Sequence, residues 1–184
     1  MHRFSGLNGI AIDLTALGSP TLLTIVSVFA VFLLWGATDT IAARYIARNS
    51  VGTAIISLVV KPIIGRQRPQ VIPRLIEVTG LSYPSGHSFG ATSVYLTLAI
   101  VACRYFKHSS TKSAAIICAC TLIALVSLWR IYLGVHYPSD VVSGILLGTS
   151  WSPLITALFC CKDFSEHNRV MKRITTAASS HQEE

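Results

Sequence analysis

The chain is poor in charge. Only 12% of its 184 residues are Asp, Glu, Lys or Arg, against 52% hydrophobic, where a soluble domain carries about 25% charged residues. Together with a mean hydropathy of +0.58 and long apolar runs, this excludes an ordinary water-soluble domain and makes lipid the solvent. Acidic residues are scarcer still, 8 Asp and Glu against 15 Lys and Arg, and they form no cluster suited to Mg²⁺. The five cysteines (Cys103, Cys118, Cys120, Cys160, Cys161) fall in or at the ends of apolar runs, without zinc-ligand spacing to a histidine, so neither a disulfide framework nor a zinc site is implied. Residues 1–18 lack a continuous apolar core, being interrupted at Asp13, and so do not read as a signal peptide. The net charge of +7 forms no single basic stripe. The cations sit between apolar runs, which suits membrane topology better than nucleic acid.

What remains is a succession of apolar segments separated by punctuation. Residues 1–19 read as an N-terminal interfacial segment with a short helix from Gly9 to Leu17. Ser19-Pro20 opens a helix, and Thr21–Ala37 is the first spanning candidate. A second helix, capped by Asp39 or Thr40, runs to about Ile64, with Pro62 and Gly65 ending it. Arg44 and Arg48 share a face of its first turns at a headgroup position. Gly65–Ser85 is a polar loop containing Pro69, Pro73 and Pro84. Its Leu75, Ile76 and Val78 either rest on the bilayer surface or pack over a site. Spans follow at His87–Phe106, Ser113–Leu133 and Pro138 to about Cys161, and residues 162–184 form a polar tail on the cytoplasmic side. The fold class expected is all-α, a multi-pass transmembrane bundle of about five spans occupying residues 20–161.

Three short stretches carry the chemistry: Lys61-x6-Arg68-Pro69, Pro84-Ser85-Gly86-His87, and Arg130-x5-His136-x3-Asp140. The alternation of spans puts all of them at one membrane face, although they are far apart in sequence. Lys61, Arg68 and Arg130 supply cations for the non-bridging oxygens of a phosphoryl group. Ser85 and Gly86 precede a helix N-terminus, where free N–H groups favour an anion. Asp140 can accept the Nδ1 proton of His136 and leave Nε2 unprotonated, while also capping a helix. His87 is a second histidine, suited to proton donation. Most basic residues outside these stretches (Arg44, Arg48, Arg104, Lys107, Lys112, Lys162, Arg169, Lys172, Arg173) fall at the opposite face, which should be cytoplasmic. The motif face is then periplasmic or extracellular, and so is the N-terminus.

The three motifs resemble the signatures of the type 2 phosphatidic acid phosphatase (PAP2) superfamily, in its integral-membrane lipid phosphatase branch. The resemblance covers Lys61 to Asp140 and extends into the flanking spans. It implies a PAP2/haloperoxidase-like core and a metal-independent phosphatase without cofactor. It also implies that His136 is the nucleophile forming a phospho-histidine, Asp140 its orienting partner, and His87 the general acid. Lys61, Arg68, Ser85, Gly86 and Arg130 hold the phosphoryl oxygens. Two departures stand out. Trp129 replaces the usual Ser before Arg130, which implies altered packing. Five spans are counted where six are common. The substrate expected is a lipid phosphomonoester or diphosphate, undecaprenyl diphosphate first, with phosphatidic acid, phosphatidylglycerol phosphate and lipid A phosphate as alternatives. The expected setting is the cell (inner) membrane, with no nucleic-acid partner. The sequence leaves the oligomeric state undetermined. A non-hydrolytic binder or flippase of lipid phosphates needs the cations but not both histidines and Asp140. A vanadium haloperoxidase shares the motifs but is soluble.

Overall fold

A computed structural model describes residues 5–70 and 73–160, and these form six α-helices. They are α1 (Ser5–Ala16), α2 (Pro20–Gly36), α3 (Thr40–Ile64), α4 (Gly86–Tyr105), α5 (Ser109–Tyr132) and α6 (Pro138–Ile155). Among the described residues there is no strand. α3, α4, α5 and the run Pro138–Leu158 are each long and apolar enough to cross a membrane, and α1 and α2 together make a fifth such unit, bent by 42°. The large apolar residues left on the outside, such as Phe32 (74% exposed) and Leu58 (73%), form a lipid-facing surface. The expected all-α bundle is observed, with four helices that qualify as spans and a fifth only when the bent α1–α2 pair is counted as one unit, whereas the sequence expectation has Thr21–Ala37 spanning by itself. The polar tail 162–184 lies outside the described residues.

Local chemistry sets the helix ends. The Ser19 side chain accepts the Leu22 N–H, with Pro20 in the first turn of α2. Of the two candidate caps for α3, Asp39 takes the position and accepts the Ala42 N–H at 3.0 Å. At about 38 Å, α3 outruns a ~30 Å hydrocarbon core, so its two ends reach the headgroup regions. Gly65 closes it in the left-handed conformation (φ 64°), its N–H bonded to the Lys61 carbonyl. The fourth span starts at Ser109, four residues earlier than the apolar run suggests. α6 holds Pro153 in its last turn and passes into a wide π turn over Thr156–Cys160.

Two seams hold the bundle. α4 and α6 meet at Gly144 and Gly148. A methyl group added to Gly144 would stand 2.8 Å from the Ser85 carbonyl oxygen, and one added to Gly148 would stand 2.6 Å from Thr92 Cβ. Without side chains there, the two backbones approach closely, as in other small-residue helix contacts within membranes. Further along, Asn49 of α3 donates to the Ser93 carbonyl (3.1 Å) and hydroxyl (2.9 Å) of α4, while Ser152 of α6 donates to Asn49 Oδ1. Thr53, Thr97, Tyr45 and Trp151 extend this network. The apolar cluster of Ala42, Tyr45, Ile46, Val101 and Ile155 lies beside it.

α1 begins at Ser5 rather than near Gly9, and it packs against the bundle. Ala11 is fully buried with Leu133 and Val135, and Tyr132 donates to Asn8 Oδ1. The loop residues Leu75, Ile76 and Val78 join that same cluster. They thus pack on the α5–α6 link beside His136. Trp129 packs against the same cluster and meets Tyr132 edge-on at 5.2 Å.

Candidate active site

All eight residues singled out in the motifs lie at the end of the bundle formed by the last turn of α3, the loop after it, the first turn of α4, the last turn of α5, the α5–α6 link and the first turn of α6. Ser85 caps α4, and its N–H donates to the Asp140 carbonyl at 3.0 Å, joining the second motif to the third. The Ser85 hydroxyl oxygen is fully buried and accepts from the Ser88 N–H and hydroxyl, so its own proton is left for a further acceptor. Lys61 reaches over this helix start: a methyl group on Gly86 would lie 3.8 Å from Lys61 Nζ.

His136 is 3% exposed, in the link between α5 and α6. Its Nε2 lies 3.3 Å from Arg68 Nη1. Arginine only donates, so Nε2 is the acceptor and the ring proton resides on Nδ1. On that side Nδ1 is 3.4 Å from the Ser82 hydroxyl and 3.5 Å from Asp140 Oδ2. Burial and the surrounding charges of Arg130, Arg68 and Lys61 depress His136 to about 3, against the opposing hydrogen bond from the Ser82 backbone. The ring is therefore neutral at physiological pH, with a lone pair on Nε2 facing the cations.

The arginines differ in how occupied they are. Arg68 spends its donors on the protein: Nε on the Gly80 carbonyl (3.0 Å), Nη2 on Thr79 (3.2 Å), and Nη1 on Val135 (3.0 Å) as well as on His136. It pins the loop to the α5–α6 link. Burial, then the charge of Arg74, lowers its pKa, while Asp140 acts in the opposite sense. Arg130 is 3% exposed, and its buried Nε has no hydrogen-bond partner among the described residues. An unpaired buried donor of that kind is costly unless a ligand meets it. His87 lies within the field of Arg130, His136, Lys61 and Arg68. Its backbone touches the α1–α2 corner, where a methyl group on Gly18 would stand 3.3 Å from the His87 carbonyl oxygen.

Asp140 does more than face His136. Its Oδ2 accepts the Tyr137 N–H at 3.0 Å as a cap of α6 and also accepts the Ser82 hydroxyl, while Oδ1 takes Arg66 Nη1 at 2.8 Å. Sequence reasoning passed over Ser82 and Arg66. Arg66 reads as one more loop cation between Lys61 and Arg68, and Ser82 as a turn residue. The available signal was that a single buried carboxylate needs several donors. Among the described residues, no three His, Cys, Asp or Glu side chains gather where they could hold a metal ion.

A cavity of about 320 Å³ begins at Lys61 and Gly86 and continues between α2, α3 and α4 past Leu23, Thr53 and Leu58. A second, of about 290 Å³, shares Ser27 and Ala54 with it and extends between α2 and α3 to Val31 and Ala47.

Comparison with known proteins gives a consistent result. Phosphatidylglycerophosphatase B of Bacillus subtilis (strain 168) is 34% identical over 113 residues, covering 61% of this chain and 52% of the relative. An undecaprenyl-diphosphatase of Sulfolobus acidocaldarius is 30% identical over 112 residues, covering 54% of this chain and 50% of the relative. The chain thus spans about half the length of these relatives. The crystal structure of a transmembrane PAP2-type phosphatidylglycerolphosphate phosphatase from Bacillus subtilis superposes with a TM-score of 0.78 at 29% identity, over 90% of this chain and 79% of that one. The model of the PAP2 superfamily matches residues 40–160, a stretch that takes in most of the chain and each of the eight candidate residues. With that match and the shared fold, the chain belongs to the PAP2 superfamily and is a membrane protein.

Proposed function

We propose that this chain is an integral-membrane phosphatase that hydrolyses a lipid phosphomonoester or diphosphate through a phospho-histidine. One observation carries the reading. A neutral, buried His136 presents Nε2 beside Arg68, in the field of Arg130 and Lys61. When a phosphoryl group enters, Arg68 Nη1 turns its proton from Nε2 to a phosphoryl oxygen, and the freed lone pair then faces phosphorus. Lys61, Arg130, the Ser85 hydroxyl and the N–H groups opening α4 stabilise the charge on its oxygens, and Arg68 contributes its charge and its remaining Nη2 proton. The Nε2–P bond forms as the P–O bond to the lipid breaks, and His87 donates a proton to the departing oxygen. Water then attacks phosphorus with His87 as base, releasing phosphate and restoring His136. Side-chain cations do the work that a metal does elsewhere.

The groove from Lys61 to Ala47 supports a lipid substrate. It follows fourteen residues of α3, about 21 Å. That exceeds half of a ~30 Å hydrocarbon core, so a chain of leaflet length fits along it. Undecaprenyl diphosphate remains the first substrate to test, followed by phosphatidylglycerol phosphate, phosphatidic acid and lipid A phosphate. The site faces the periplasm or cell exterior of the cell (inner) membrane, because Arg44, Arg48, Arg104 and Lys112 lie at the other end of the helices. The test is phosphate release by the detergent-purified chain over that panel, with and without EDTA. Release that survives chelation is expected. Complete loss restored by Mg²⁺ would sink the metal-free mechanism, and release from no lipid phosphate would sink the function.

A further inference from the structure

The carboxylate of Asp140 sits inside a closed ring of contacts that the motifs do not describe. Asp140 is fully buried. Arg66 Nη1 holds Oδ1 at 2.8 Å, and the Ser82 hydroxyl holds Oδ2. These two residues are distant in sequence but joined through their backbones, the Ser82 N–H donating to the Arg66 carbonyl at 2.8 Å. The ring therefore runs from Arg66 through its main chain to Ser82, across to Asp140 and back through the guanidinium. Arg66 is fixed further by Ser139 Oγ at 2.7 Å and by the Tyr137 ring, whose centroid lies 4.2 Å from its Cζ. Ser82 has one hydroxyl proton, and Asp140 takes it. Toward His136 the same oxygen can only accept, and it lies 3.4 Å from Nδ1, no farther than Asp140 Oδ2 at 3.5 Å.

We infer that Arg66 and Ser82 are positioning residues for the phosphorus-attacking histidine: they fix the Asp140 carboxylate, and the Ser82 hydroxyl shares with it the Nδ1 proton of His136. Orientation then reaches His136 through a clamp of three side chains. The inference rests on the reading of His136 as nucleophile. It also has an electrostatic side. The groups facing His136 are Lys61 from α3, His87 from α4, Arg130 from α5, Arg68 from the loop and Asp140 from α6. Asp140 is the only anion in that set, and Arg66 neutralises it. Removing either clamp residue frees carboxylate charge for His136 and makes the ring easier to protonate.

A purely structural role for the Arg66–Asp140 pair, as a brace for the start of α6, predicts no such change. The test uses the full chain, labelled with ¹⁵N-histidine and purified in detergent without phosphate. The His136 resonances are assigned by their loss in His136→Gln. Ser82→Ala and Arg66→Gln are expected to lower kcat on p-nitrophenyl phosphate by about 10- to 100-fold, with KM changed by less than about twofold, since a hydrogen bond to a charged group is lost. The His136 pKa is expected to move upward by about half to one unit in each. Ser82→Thr keeps the hydroxyl and is expected to recover most of the turnover. It and Arg66→Gln carry the test if Ser82→Ala does not fold. An unmoved His136 pKa in the folded variants, with activity falling only as far as the melting temperature does, would overturn the clamp. A wild-type protein that releases phosphate from no ester would overturn the phosphatase reading instead, while the anion-free titration of His136 still decides the clamp.

Discussion

Two polar regions lie within this apolar bundle, and they are built on opposite terms. Around Asn49, polar groups answer one another: the amide is taken by Ser93 and Ser152, and the hydroxyls of Thr53 and Thr97 also find partners. At the motif end, Lys61, Arg66, Arg68 and Arg130 gather with one carboxylate, Asp140, and the Nε of Arg130 has no hydrogen-bond partner among the described residues. The first region is complete in itself and ties α3, α4 and α6 together. The second has an excess of donors and positive charge that a phosphoryl dianion would balance. Between these two regions burial is shared and the balance of donors and acceptors differs, although the buried hydroxyls of Thr15, Thr92 and Ser127 and the Trp129 indole also lack partners among the described residues, so an unmet donor points to a ligand only where charge gathers with it.

The sharpest way to break the comparison is at His136. His136→Ala is expected to abolish turnover, by more than about 10³-fold, with little loss of thermal stability. Acid-quenched wild-type protein should carry a base-stable, acid-labile phosphate on His136, and a label mapping to His87 would exchange the two roles. Arg130→Lys comes next. It keeps the charge but loses the planar fork at a position where no protein group uses it, and a loss of about 10²- to 10³-fold in kcat/KM is expected. Near-normal turnover would mean that Arg130 serves the bundle instead. His87→Ala should cost about 10²-fold on an alkyl lipid phosphate and clearly less on p-nitrophenyl phosphate, whose leaving group needs less protonation. Equal losses on both would remove the general-acid role.

From the other side, Asn49→Leu empties the centre of the self-satisfied network. It should destabilise the protein by about 1–2 kcal/mol while leaving the KM of the folded fraction unchanged. A selective loss of kcat with intact stability would erase the distinction drawn here. The smallest effect is one of pH. His136 titrates at about 3 in the folded protein and near 6.5 when unfolded. Between those values the unfolded chain binds the extra proton, so this group's contribution to stability falls as pH drops from about 6.5 toward 3. Melting curves of anion-free protein should show this acid loss, reduced in His136→Gln. An unchanged pH dependence in that variant would mean that His136 is not the depressed group.

Much of this was legible in the residues. Apolar runs and the Ser19-Pro20, Asp39, Ser85 and Pro138 punctuation located the helices, because capping and lipid exposure are local or compositional. The same alternation by itself brings Lys61, His87, Arg130 and His136 to one end. What stayed hidden depends on which donor meets which acceptor across distant segments. Arg66 and Arg68 are near-identical in the sequence, yet one binds Asp140 while the other binds three carbonyls and His136. The choice of Leu75, Ile76 and Val78 between lipid and protein was also undecidable locally, since either environment accepts an apolar side chain. The docking of α1 under Val135 lies in the same class.

The glycine seam between α4 and α6 has one further consequence. At Gly144 the two helices stand so close that not even a methyl group fits, and at that level the Ser85 N–H is bonded to the Asp140 carbonyl. The start of α4, which carries the proposed proton donor His87, and the start of α6, which carries Asp140, are therefore one stiff body. The spacing between the start of α4 and the main chain at Asp140 is set backbone to backbone and should vary little with temperature or with the thickness of the surrounding bilayer, and the His136 ring is held from that body by side chains. Whatever yields to admit a bulky lipid must lie elsewhere, on the α2–α3 side, where the groove opens.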